Sequence, residues 1–178
     1  MKKSILIALL MIAVVPFIFL VGCGGNNSDN NSDLRELPEQ PAYVASFERQ
    51  VFDLTNTERV NYGLTPFLWH DVLSRVSRDH SIDMARGNFM SHTGSDGTSA
   101  RQRMENAGLN VANGVTGWSE NVARGQRTPE AVVTAWMNST GHRANILNEN
   151  RTHLGVGFAY FSGDSMPTYW TQKFITLN

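Results

Sequence analysis

The chain has 178 residues, 41% of them hydrophobic, one cysteine, and 15 Lys and Arg against 16 Asp and Glu. That length suits one domain with a sizeable core, and a lone cysteine excludes an intramolecular disulfide, so stability must come from burial. The near-neutral balance, with no basic run, excludes the clustered cations that a nucleic-acid partner or electrostatic docking on a membrane requires.

Residues 1–22 read as an export signal: Lys2 and Lys3 supply the charged start, and Ile5 to Leu20 is apolar apart from Pro16. As a membrane span that stretch falls a little short of the ~20 residues needed. Leu20-Val21-Gly22-Cys23 resembles the bacterial lipobox, which implies acylation of the Cys23 thiol, cleavage before it, and anchoring to the membrane through lipid. Without Lys2 and Lys3 the charge is 13 basic against 16 acidic residues, a net of −3, and the remaining cations are twelve scattered arginines and Lys173. From Cys23 to Ala42 the sequence is rich in Asn, Ser, Asp and Pro, cannot bury enough surface to fold, and reads as a disordered tether on the order of 20–25 Å long.

Residues 43–178 form the expected domain. Val44, Phe47, Val51 and Leu54 recur at helical spacing and predict a helix to about Asn61, ended by Tyr62-Gly63. A second helix is predicted from Asp71 to about Arg86, with Leu73, Val76, His80 and Met84 on one face and Gly87-Asn88 as its stop. A short third covers Ser99 to Ala107. Thr128-Pro129-Glu130 combines a hydroxyl cap, a first-turn proline and an acid at the positive dipole end, and starts a fourth helix through Val132, Val133 and Trp136. Leu154, Val156, Phe158 and Tyr160 then alternate as a strand, Ser162-Gly163-Asp164 turns the chain, and Thr168 to Ile175 returns as the second arm of a hairpin. Helices first and strands last predict an α+β domain with helices on both faces of a small sheet.

Five histidines are candidates for chemistry. His70 reads as a surface or capping residue, His80 as a hydrogen-bonded core residue, and His153 precedes a strand without a partner. His92 and His142 lie in short glycine-flanked polar segments that read as loops, as does Glu120 in Gly117-Trp118-Ser119-Glu120-Asn121. Their spacing matches no local zinc motif. The sequence has no His-Glu-x-x-His helix, serine elbow or phosphate loop. Gly163-Asp164-Ser165 resembles a lipase opening but sits in the hairpin turn with no histidine after it. Asn56 and Arg59 read as ties from the first helix to a neighbouring loop, and Trp136 and Trp170 as core.

Six segments in order are similar to the CAP superfamily, which includes cysteine-rich secretory proteins, antigen 5 and plant pathogenesis-related proteins. They are Leu54 to Arg59 with Gly63-Leu64 and Leu68-Trp69; His80 to Ala85 with Ser91-His92; Glu120-Asn121; Trp136 to Leu147; Gly155 to Phe158; and Tyr169 to Phe174. The resemblance implies an α-β-α sandwich with a central antiparallel sheet and an open cleft holding His92, Glu120 and His142. Two departures stand out: Ser139 occupies the place where many members carry a second glutamate, and Ser119 stands where a glycine is usual. The absence of domain cysteines fits the bacterial branch.

Two neutral imidazoles and one carboxylate suit one divalent cation, most naturally zinc, with Glu120 as ligand or as the base that orients a water. The competing reading has the three side chains hydrogen-bond one another and pin loops. Function follows accordingly: an extracytoplasmic, membrane-anchored binding module for a metal and a small lipid-like, sterol or cell-wall ligand, with Ser139 in its binding set; a metal-dependent hydrolase acting on envelope substrates with Glu120 as general base; or a structural or adhesive envelope protein. Anchoring through Cys23 implies residence at the cell membrane or an outer membrane.

Overall fold

A computed structural model describes residues 39–178; the signal segment and Cys23 lie outside them. The elements are α1 (Val44–Asn61), β1 (Leu68–Trp69), α2 (Asp71–Gly87), α3 (Ala100–Asn106), a 3-10 turn (Val111–Asn113), β2 (Val115–Arg124), α4 (Pro129–Met137), α5 (Thr140–Ile146), β3 (His153–Tyr160) and β4 (Thr168–Leu177). The strands form one sheet in the order β1-β3-β4-β2. β3, β4 and β2 are antiparallel as expected, and the two-residue β1 adds a parallel edge beside His153 and Leu154. The four predicted helices and the hairpin are all present. Four elements were not anticipated: β1, the 3-10 turn, the ten-residue β2, and α5.

α2 lies against one face of the sheet, at backbone contact. A Cβ on Gly155 would come within 2.4 Å of the Leu73 carbonyl carbon, and one on Gly157 within 2.1 Å of the Arg78 nitrogen. The facing side chains of α2 are small for the same reason. Ser77 donates to the Gly155 carbonyl at 3.2 Å and Ser81 to the Gly157 carbonyl at 3.1 Å, so close approach is combined with satisfied hydroxyls. α1, α4 and α5 belong to the other face, where Trp136, Phe158, Trp170 and Phe174 are buried in the largest apolar cluster. The rings of Phe158 and Trp170 meet at 4.2 Å between centroids.

Both outer strands are terminated by side chains, which removes the unpaired edge that invites strand addition. Beyond β1, the amides of β3 donate in turn to Ser74 Oγ (from Val156, 3.3 Å), Glu48 Oε1 (from Phe158, 3.1 Å) and Gln40 Oε1 (from Tyr160, 2.9 Å). Glu48, buried on α1, is also paired with Arg78 of α2, so one carboxylate ties two helices to the strand edge. On β2 the carbonyls of Trp118, Glu120 and Val122 accept from Arg151, Asn145 and Trp136 at 3.0, 3.2 and 3.3 Å. Gln40, assigned from sequence to the tether, therefore belongs to the fold.

Asn56 exchanges two hydrogen bonds with the backbone of Phe67. The buried Arg59 donates to the carbonyls of Thr65, Ile146 and Asn148, the helix-to-loop tie expected of it. His70 caps α2 by accepting from the Leu73 amide at 3.3 Å. His153 opens β3 instead of preceding it, and its Nδ1 lies 2.8 Å from the Thr152 hydroxyl. Gly157→Ala should destabilise the domain by about 3 kcal/mol or more, because the methyl meets helix backbone that has no rotamer with which to retreat. Urea unfolding measures this, and a loss under about 1 kcal/mol would mean that α2 can lift from the sheet.

Candidate functional site

The site is built outward from β2. Alternation places Glu120 on the α2 side of the sheet, directly opposite Lys173 of β4 in the antiparallel register. Both side chains are buried, Glu120 at 6% exposure and Lys173 at 0%. Lys173 Nζ donates to Glu120 Oε2, and Arg103 of α3 reaches the same oxygen at 3.0 Å. The other oxygen, Oε1, lies 2.8 Å from His92 Nδ1. An ionised carboxylate only accepts, so His92 carries its proton on Nδ1 and, when neutral, keeps the Nε2 lone pair free. That ring is accessible, with its side chain 58% exposed.

The loop carrying His92 is held from two sides. Arg103 also donates to the carbonyls of His92 and Thr98, at 3.0 and 2.8 Å. His80 Nε2, on the buried face of α2, lies 2.8 Å from the Ser91 carbonyl, which fixes its proton on that nitrogen. Burial pushes the His80 pKa down to about 4, so the ring is neutral at pH 7. His80 is thus the hydrogen-bonded core histidine expected, and its function is to hold the residue next to His92.

α5 brings in the second imidazole. Asn145 donates to the Glu120 carbonyl and to Asn121 Oδ1, and Asn121 Nδ2 donates to the His142 carbonyl at 3.2 Å. The same amide reaches Gln172 Oε1, whose own amide donates to Thr55, so α5, β2, β4 and α1 are joined by one buried polar chain. His142 is half-buried, and burial together with the nearby His92 lowers its pKa, which keeps it neutral at pH 7. Ser139 is the cap residue of α5, but its side chain makes no capping bond.

The three residues anticipated from sequence therefore gather around one site, but two of them come from regular elements. His92 is in a loop as expected, whereas Glu120 sits mid-strand and His142 within a helix. Lys173 and Arg103 were not anticipated. Lys173 had a legible signal: it is the one lysine after the signal segment and falls on the strand phase opposite Trp170, Gln172 and Phe174.

Burial alone would raise the Glu120 pKa, but the His92 hydrogen bond and the Lys173 charge outweigh it and hold the carboxyl at about 2. Burial lowers Lys173 to about 8 against the opposing pull of Glu120, leaving it charged at pH 7. Lys173 and Arg103 together exceed Glu120 by one positive charge. This tests the fit of a divalent metal. His92 and His142 are donors of the right kind, whereas Glu120 has both oxygens committed to cationic or N–H donors and does not fit as a ligand. It fits as the carboxylate behind a ligating histidine. Among the described residues, no group of three or more His, Cys, Asp or Glu side chains is placed to hold a metal ion.

Residues 52–174 match the sequence model of the CAP family, described as the cysteine-rich secretory protein family. Uncharacterized protein YkwD of Bacillus subtilis is 43% identical over 135 residues, 76% of this chain and 49% of the relative. Uncharacterized membrane protein YlbC of the same organism is 36% identical over 128 residues, 72% of this chain and 34% of the relative. The match thus spans less than half the length of either. An extracellular protein containing a SCP domain from Bacillus anthracis has a crystal structure that superposes with a TM-score of 0.65 at 31% identity, covering 74% of this chain and 41% of that one. An outer surface protein of Borrelia burgdorferi shares the fold, with a TM-score of 0.70 at 18% identity, over 80% of this chain and all of that one.

The buried groups set the acid response. His80 has a folded pKa of about 4 against an ordinary 6.5, and Glu120 one of about 2 against 4.5. In both cases the unfolded chain binds more protons in the interval, so stability falls as pH falls, through His80 between 6.5 and 4 and through Glu120 between 4.5 and 2. The His80 interval should account for a loss on the order of 3 kcal/mol in urea unfolding. His80→Gln keeps a donor for the Ser91 carbonyl but cannot titrate, and should flatten the profile from pH 6.5 to 4; an unchanged slope would remove His80 as its cause.

Proposed function

The chain belongs to the CAP family, and on that premise we propose that it is an extracytoplasmic binding module, anchored to the membrane by lipid on Cys23, that captures a divalent metal through His92 and His142. The observation that carries this is the state of Glu120. A general base needs a lone pair facing the substrate and a pKa near the working pH. Glu120 has neither: its oxygens are taken by His92, Arg103 and Lys173, and its pKa is about 2. What it does is fix the His92 tautomer and leave Nε2 free in an accessible ring, close enough to His142 to lower its pKa. Zinc suits neutral imidazoles, and bound there it would supply a Lewis-acid centre open to water or a small ligand. Micromolar affinity is the expected order, since two protein ligands and one excess positive charge make a modest site.

The export signal and the lipobox-like Leu20-Val21-Gly22-Cys23 support the location, as do a relative described as a membrane protein and a solved relative described as extracellular. The tether then presents the domain close to the membrane surface.

Calorimetric titration of zinc into residues 24–178 should give micromolar binding in the parent and none in a folded His92→Ala/His142→Ala variant. Glu120→Gln should weaken binding by about 10- to 100-fold without abolishing it. If the parent takes up no zinc, the metal is removed from the account. In the cell, Cys23→Ser should move the protein from the membrane fraction to the soluble one; retention in the membrane would mean that the apolar segment itself is the anchor.

A further inference from the structure

A second recess lies on the far side of α3 from the histidines and shares none of His92, Glu120 or His142. It is an open cavity of about 330 Å³, within the range of small-ligand sites. Met104, Leu109 and Val115, all buried, form its apolar floor. Its walls are large apolar side chains left in water, Trp118 at 40% exposure and Val111 at 70%. Strand β2 is deformed at this point, with a register shift between Val115 and Gly117 that leaves Thr116 as an extra residue on the rim.

One cation borders the cavity without an acid to answer it. Arg151 donates from Nη1 to Thr176 Oγ1 and from Nη2 to the Trp118 carbonyl, both at 3.0 Å. Its Nε is buried and has no acceptor, and among the described residues no carboxylate pairs with it. The neighbouring Arg101 is already neutralised by Glu105 at 2.7 Å. Gly117 lets Arg151 lie flat against the strand, because a Cβ there would stand 2.3 Å from Nη1. Partial burial also lowers the Arg151 pKa. A partly buried guanidinium with no acidic partner, beside an apolar recess, is matched by a carboxylate carried on an apolar group.

We infer that this recess binds the free C-terminus of a peptide whose last residue is apolar, with the side chain between Trp118 and the Met104–Leu109–Val115 floor and the carboxylate answering Arg151. A peptide fits better than a fatty acid because Thr116 and Asn110 border the recess and can meet a peptide group, whereas an acyl chain would leave them unmatched.

The test uses residues 39–178, which contain the whole sheet and all three apolar clusters. They are titrated by calorimetry and tryptophan fluorescence with N-acetyl-Ala-Leu, with the same dipeptide as its C-terminal amide, and with octanoate. The acid should saturate the protein, with the amide and octanoate each at least about tenfold weaker. Arg151→Gln should weaken the acid at least about tenfold. Because Arg151 also secures β2, Val111→Glu provides a second variant that sets a like charge at an exposed wall and should weaken binding as much at an unchanged melting temperature. His92→Ala/His142→Ala should leave the affinity as it was. Absence of saturation by the acid, equal binding of the amide, tighter binding of octanoate, or full affinity in Val111→Glu would each overturn the inference.

Discussion

The buried pairing of Glu120 with Lys173 is the constraint on which the rest depends. Two adjacent strands place opposite charges at the same register position, on the face that α2 and α3 cover. Neither charge tolerates burial alone, and removing one partner of such a pair costs about 3–5 kcal/mol because the other is left uncompensated. The pair therefore specifies the register of β2 on β4, since a one-residue slip of β2 would carry Glu120 to the apolar side lined by Trp170 and Phe174 and leave Lys173 buried without its partner. It also holds the site in order: Arg103 and His92 reach Glu120 only because it stands there as an anion.

Around that pair the architecture puts precision on one side of the sheet. α2 is pressed to backbone contact by Gly155 and Gly157, which fixes the height of His80 above the strands and, through the Ser91 carbonyl, the base of the His92 loop. On the opposite side α5 is placed by amides, with Asn145 and Asn121 tying it to β2 and Arg59 closing its C-terminal end. His92 and His142 thus come from opposite sides of one strand, the His92 ring oriented by its hydrogen bond to Glu120 and the His142 backbone anchored through its carbonyl to Asn121. A helix seven residues long has little stability of its own, so the position of His142 depends on these amides more than on helix propensity.

Much of this was legible in the sequence where burial is one-sided. α1, α2, α4 and the hairpin have clean periods, and the caps at Thr128 and His70 sit at the helix starts anticipated. The Gly155-Val156-Gly157 alternation marked a strand, although not that its glycines admit a helix backbone. β2 was missed because it carries function on both faces: Trp118 and Glu120 look one way, Asn121 serves the polar chain on the other, and the resulting run of polar and glycine residues has no two-residue hydrophobic period. α5 was missed because Thr140-Gly141-His142-Arg143 offers no apolar face and is ordered by its neighbours. Lys173 stood out as the one lysine after the signal segment, but its pairing with Glu120, like that of Arg103, was illegible: they are 53 and 17 residues away from it, and only the sheet register and the placement of α3 bring them in.

The chemistry of the site follows from how its charge is balanced. A hydrolytic pair of carboxylates would need one to be protonated or raised in pKa near neutrality, which requires an apolar or anionic surrounding. The resemblance puts Ser139 where many family members carry a second glutamate, and Glu120 is surrounded by a lysine, an arginine and a histidine that all favour its ionised form. Such an anion is a fixed electrostatic support and exchanges no proton at neutral pH. The groups left to change partner are His92 Nε2, in a ring 58% exposed, and the half-buried His142 ring. Neither is a strong nucleophile without a base beside it, whereas an imidazole lone pair is the kind of donor the proposed metal would take. The same asymmetry, fixed charge beneath and exchangeable donors above, is what the proposed binding role requires.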